Sequence, residues 1–193
     1  MRFSFKLHGR LCFLIGVLVT LSGCDWDFPL TSPSRAKVDT RLIGNWVGIT
    51  RFPDKDPPES IRSTILSIGA ASKLSEYDRE KNKIPLGAMI LNNVDYRSPG
   101  VSDKNGSITI WPTKIGDMQV LNGIPTYSLK KTNHKSAFVI SKYEVSGDDL
   151  TIYKLQDEKG IKNRLGDSYS SADLFQEISK AQWSRASTFK RIR

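Results

Sequence analysis

The stretch from Ala137 to Leu155 limits the fold of this chain more than any other. It reads AFVISKYEV, then a polar turn at Ser146-Gly147-Asp148, then LTIYKL from Leu150. Val139, Tyr143 and Val145 share one face by the period-2 alternation of a strand, and so do Leu150 and Ile152 on the return. This is a β-hairpin. A lone hairpin is marginal in water, so further strands must complete its buried face.

Short strand-like runs recur on both sides of it. They are Asn45 to Arg51, Ile61 to Ile68, a strand within Leu86 to Tyr96, Ser107 to Trp111 after the Asn105-Gly106 turn, Met118 to Leu121, Thr126 to Lys130, and Phe189 to Ile192 as a closing strand. Residues 53–60 carry three prolines and read as a loop. Residues 72–83 are densely charged and read as a loop or a short helix. Helical spacing predicts one clear helix, Ala172 to Gln182, through Leu174, Phe175, Ile178 and Ala181. Ser170 with Asp173 three residues on resembles a capping box. Many short strands, one C-terminal helix and no βαβ rhythm argue for an all-β domain. At 193 residues, one domain is the default.

Composition excludes several kinds of chemistry. Two Cys and two His leave no zinc cluster and no disulfide scaffold. His134 lies in the polar run Lys130 to Lys135 with no identifiable partner for general base catalysis. Asp54-Lys55-Asp56 with Glu59 superficially suggests calcium, yet Pro57 and Pro58 interrupt it and no turn glycine is present. Ser141-Lys142 and Ser179-Lys180 are adjacent in sequence, which is not how Ser–Lys dyads are built. No P-loop, G-x-S-x-G or H-E-x-x-H occurs. No enzyme activity, cofactor or metal is expected.

The N-terminus supplies an address. Arg2, Lys6 and Arg10 precede an apolar run from Leu11 to Leu21, which has the length of a signal-peptide core and is too short to span a bilayer. The run closes on Leu21-Ser22-Gly23-Cys24, which resembles the lipobox of bacterial lipoproteins. That resemblance implies that residues 1–23 are a removed signal peptide and that the thiol of Cys24 carries lipid. Two or three acyl chains, palmitate among them, would anchor the chain stably where one would not. Asp25 resembles the inner-membrane retention signal of enterobacterial lipoproteins, with the outer membrane as the alternative.

Residues 24–40 read as the lipidated Cys and a flexible tether, with a reach of roughly 20–24 Å. Trp26 and Phe28 either sit in the membrane interface or dock on the domain. Residues 41–193 are the folded domain. The net charge of +9 includes a basic C-terminus: Arg185, Lys190, Arg191 and Arg193, with no acid after Glu177. The compartment excludes nucleic acid. Anionic headgroups are one candidate for this patch, and a solubilising surface is the other.

Leu42-Ile43-Gly44-Asn45-Trp46 is similar to the Gly-x-Trp opening of lipocalins and lipocalin-like bacterial lipoproteins. Tyr143 to Tyr153 is similar to the hairpin of that group, and Phe189-Lys190-Arg191 resembles its C-terminal Arg motif. No second motif of the Thr-Asp-Tyr kind is present. The resemblance implies a small antiparallel up-and-down barrel, closed at one end by Gly44, Trp46, Phe189 and Arg191. Phe189 and Arg191 lie two apart on one strand face, and an inward Arg needs an aromatic face over which to spread its charge. Arg191 is therefore expected to stack on Trp46. The inward set is expected to hold Trp46, Ile65, Tyr143, Val145, Leu150 and Ile152.

These readings lead to a periplasm-facing, membrane-anchored accessory lipoprotein that binds an envelope protein. The alternative is a lipocalin-like carrier of a small apolar or amphiphilic ligand. Bulky inward residues favour a packed barrel, because an eight-stranded barrel has room for one small ligand or for its own side chains.

Overall fold

Eight antiparallel strands close into a barrel, each paired with its neighbours in the chain. They are β1 (Gly44–Thr50), β2 (Arg62–Ala70), β3 (Met89–Asp95), β4 (Ser107–Ile115), β5 (Met118–Pro125), β6 (Val139–Ser146), β7 (Asp149–Leu155) and β8 (Trp183–Ile192). The computed structural model describes residues 26–27, 29–50, 62–95, 107–126 and 138–193. Closure comes from β1 and β8, whose register runs from Asn45 opposite Ile192 to Gly48 opposite Phe189. The topology is up-and-down throughout.

Two large cores lie back to back across the sheet, and a small third cluster holds Ala71, Ile84, Ala88 and Ile90. The interior holds Trp46, Met89, Ile110, Tyr143, Leu150 and Phe189, all at most 1 % exposed, with other aliphatic residues between them. The outer core covers one side only. There Ile115, Val120, Ile140 and Leu155 of β4 to β7 pack against Trp26, Leu30, Ile161, Leu174 and Ile178. Strands β4 and β5 are therefore buried on both faces over most of their length.

Among the described residues three α-helices stand, where one C-terminal helix and a loop or short helix over 72–83 were expected. The first, α1 (Glu76–Asn82), occupies the charged stretch between β2 and β3. Ser75 caps its start and Lys83, at φ 54°, its end. The second, α2 (Glu158–Leu165), is polar except for Ile161 and Leu165, so its apolar stripe is too thin to show in the sequence. The third, α3 (Ser171–Ser179), is the expected helix, three residues shorter at its C-terminal end. Ser170 and Asp173 form its capping box.

The inward set needs one correction. Thr64, Leu66 and Ile68 are buried, and Ile65 is only half-buried. Leu66 pairs with inward Trp46 while Ile65 pairs with exposed Val47, and directly opposed residues share a face. The run IRSTILSI has apolar residues at both parities, so its pattern alone cannot choose the face.

A second irregularity sits in β8. The register against β7 passes from Ile152 opposite Ser187 to Tyr153 opposite Arg185, leaving Ala186 as an extra residue. Such a bulge switches side-chain parity. Ser187 and Phe189 face the interior, whereas Trp183 joins the outer core.

Several expectations fall outside the described residues: Cys24, Asp25, Phe28, the proline-rich loop 53–60, the Asn105-Gly106 turn, His134, and the run to Lys130 beyond Thr126. Among the described residues, no helix is long and apolar enough to cross a membrane.

Candidate functional site

One end of the barrel lies where the chain enters β1. Trp46 is fully buried, and its indole Nε1 donates to the carbonyl of Leu42 at 2.9 Å. The Arg191 guanidinium lies over the ring, 4.1 Å from its centroid. It also donates to two entry-turn carbonyls, Nη1 to Ile43 at 2.7 Å and Nη2 to Arg41 at 2.6 Å. Gly44 makes room for this. Its φ is 137°, and a Cβ there would lie 2.8 Å from Arg191 Nη1. Phe189 lies across Gly48 in the same way, with its ring 2.4 Å from where a Cβ would stand. The structure thus brings Gly44, Trp46, Phe189 and Arg191 together.

A polar cluster borders them. The Tyr143 hydroxyl donates to Asp39 Oδ2 at 2.8 Å, and Arg41 holds the same carboxylate through Nε at 3.0 Å and Nη2 at 2.7 Å. The Arg41 bonds hold the Asp39 carboxyl below its ordinary range, with burial opposing and Tyr143 assisting. Burial first, and then the bond to Asp39, push the Tyr143 hydroxyl far up. This cluster ties the entry segment to the interior and has the character of a structural clamp.

The described part of the expected tether is docked. Trp26 is fully buried and exchanges two backbone bonds with Phe138, at 2.9 and 3.0 Å. Its ring meets Tyr169 edge-on at 6.4 Å, and Lys162 Nζ sits 5.1 Å over it. Further along, buried Asn122 accepts from Leu30 N at 2.8 Å and donates to the Thr113 hydroxyl at 2.7 Å. Thr31 and Thr113 share a hydroxyl bond of 2.6 Å, and Trp111 Nε1 donates to Thr31 O at 3.0 Å. The segment therefore runs as an arm along the outer face of β4 to β6. Between its two docking choices, Trp26 takes the domain.

A groove of about 550 Å³ opens between this arm, the β4–β5 hairpin and α3. Arg35, Lys37 and Lys114 line it, with Thr31, Ser32, Thr113, Gln119 and Ser171 and with the apolar Leu30, Pro112 and Phe175. Among the described residues, no carboxylate lines it. Nothing in the sequence announces this site, because Arg35 and Lys37 are remote from Lys114 along the chain.

The basic C-terminus is partly neutralised by the β6–β7 turn. Lys190 Nζ lies 2.6 Å from Asp149 Oδ1, and Arg191 and Arg193 both approach Asp148. Among the described residues, no group of three or more His, Cys, Asp or Glu could hold a metal. Two interior hydroxyls, on Ser141 and Ser187, are buried with no hydrogen-bond partner among the described residues. Comparison with family models, with curated proteins and with solved structures finds no match.

Proposed function

We propose that this chain is a lipid-anchored, non-enzymatic accessory protein of the bacterial envelope. In this reading it faces the periplasm, and its lipocalin-like barrel binds an envelope protein by its outer surface. The observation that carries the choice of protein over small ligand is the bulk of the described interior side chains. Trp46, Met89, Tyr143 and Phe189 lie there at no more than 1 % exposure. An outer surface fit for a partner lies on the outer face of β1, β2 and β8. Val47, 38 % exposed, sits beside Ile65 and diagonal to Ile192, 44 % exposed.

The docked arm refines the anchoring argument. Cys24 precedes buried Trp26 by two residues, a span of about 7 Å when extended. A lipid on Cys24 would therefore hold the domain directly against the headgroups, without the 20–24 Å of slack that a free tether allows, on the order of its r.m.s. reach. Trp26 bridges to Phe138 at the start of β6, at the barrel end opposite Trp46. That end would face the bilayer.

A carrier of a small apolar or amphiphilic ligand is the second reading. The Ser141 and Ser187 hydroxyls, unpartnered among the described residues, favour it, since buried polar groups ordinarily have partners.

The test uses full-length protein purified from its own membranes. Mass spectrometry should find acyl chains on Cys24, and Cys24→Ser should leave an unprocessed precursor without fatty acid label. Native mass spectrometry should show no stoichiometric small molecule, and Val47→Lys should abolish the crosslink to the envelope partner. An unmodified Cys24 removes the lipoprotein reading. A stoichiometric lipid in the barrel replaces the protein-binding reading with the carrier.

A further inference from the structure

We infer that the groove beside the docked arm is a binding site for a phosphate-bearing anion with an apolar portion. Arg35 and Lys37 come from the arm, Lys114 from the end of β4, and all three are exposed. None of the three forms an ion pair among the described residues, although other surface cations of this chain do, such as Arg41, Lys142, Arg164 and Lys190. Three like charges around one groove repel one another, and an anion between them relieves that repulsion.

The ligand class follows from the kinds of group present. A phosphate monoester carries about −1.5 to −2 charge at neutral pH and three acceptor oxygens. Arg offers a planar fork suited to phosphate, and Lys a point charge that can follow it. Gln119 and Ser171 add neutral donors to the lining. Leu30, Pro112 and Phe175 offer apolar contact to whatever the phosphate is attached to. The volume suits a small ligand and not a macromolecule.

The site depends on the arm. Leu30, Thr31, Ser32, Arg35 and Lys37 form one wall only because Asn122, Thr113 and Trp111 fix the arm on the barrel. The barrel interior plays no part, so this inference stands apart from the envelope reading.

The phosphate could belong to a lipid headgroup or to a soluble molecule, and one titration separates them. Full-length protein in a non-ionic detergent is titrated by calorimetry with dihexanoyl phosphatidic acid, with inorganic phosphate, and with dihexanoyl phosphatidylcholine. Saturable binding of phosphatidic acid is expected, tighter than inorganic phosphate and absent for phosphatidylcholine. The triple variant Arg35→Gln, Lys37→Gln, Lys114→Gln should weaken phosphate and phosphatidic acid by about tenfold or more. Arg193→Gln, on the other side of the molecule, should change neither. Equal affinity for phosphatidic acid and inorganic phosphate overturns the apolar portion of the proposal and assigns the three cations to a soluble phosphate. Binding of phosphatidylcholine as tight as phosphatidic acid, no saturable binding of either anion, or binding unmoved by the triple variant overturns the proposal. All three substituted side chains are exposed, so unchanged thermal unfolding of the variant keeps the comparison valid.

Discussion

Arg191 and Trp46 stand directly opposite each other on β8 and β1, and the guanidinium carbon lies 4.1 Å from the indole centroid. The strands that close the barrel are thus joined by a cation–π contact as well as by their ladder. The planar guanidinium also reaches two carbonyls of the entry turn, which an ammonium cannot do with the same geometry. Trp46→Ala should cost about 3–5 kcal/mol, because it empties a fully buried site. Arg191→Lys should cost about 0.5–2 kcal/mol. Denaturant unfolding measures both, and equal losses would remove the distinction between packing and stacking drawn here.

Gly48 lies opposite Phe189 for a steric reason. A Cβ at Gly48 would stand 2.4 Å from the Phe189 ring and 2.7 Å from the Thr188 carbonyl. Gly48→Ala should therefore destabilise by about 1–3 kcal/mol. Phe189→Leu in the same chain should recover part of that loss. A double-mutant cycle with no coupling between the two positions would contradict the close approach.

Asn122 should hold the arm more than it holds the barrel. Its amide serves Leu30 N on one side and Thr113 on the other, in a fully buried position. Asn122→Ala strands those groups, at a cost of about 1–3 kcal/mol. Trypsin should then cut faster at Arg35 and Lys37 while the barrel keeps its circular dichroism. Unchanged cleavage would mean that Trp26 and Leu30 alone suffice to dock the arm.

Asp39 makes stability depend on acid. Its folded-state carboxyl is held below the ordinary value of 3.8, first by Arg41 and further by Tyr143. A depressed carboxyl contributes stability above its unfolded value and loses it as pH falls through the folded one. Asp39→Asn should accordingly lower the melting temperature at neutral pH, and the gap to wild type should close as pH drops below 3.8. A gap of constant size down to pH about 2 would show that the carboxylate charge is not what matters.

The elements that could be read from residues are those whose buried face alternates cleanly. The β6–β7 hairpin shows this, with Tyr143, Leu150 and Ile152 inside and Glu144 and Thr151 outside. The capping pair Ser170 and Asp173 marked a helix that is present. Legibility failed where a segment answers to two cores. Asn122 is buried because the arm covers the outer face of β5 there, and local alternation cannot register such a cover. It failed also at α2, which buries little more than Ile161.

The sequence by itself determined the class of the fold, because short strands of period 2 with no crossover helices have few ways to bury their apolar faces. It also placed Gly44, Trp46, Phe189 and Arg191 at the first and last strands. Only the tertiary structure decided that Ile65 faces out, that Ala186 bulges, and that the segment from Trp26 to Lys37 is a docked arm. The reason is the same in each case. A strand's face and an arm's resting place are set by the energy of contact with residues far away in the chain. The bonds of Trp26 to Phe138 and of Leu30 to Asn122 exist only after the barrel has closed. The groove of Arg35, Lys37 and Lys114 comes into being at that same step.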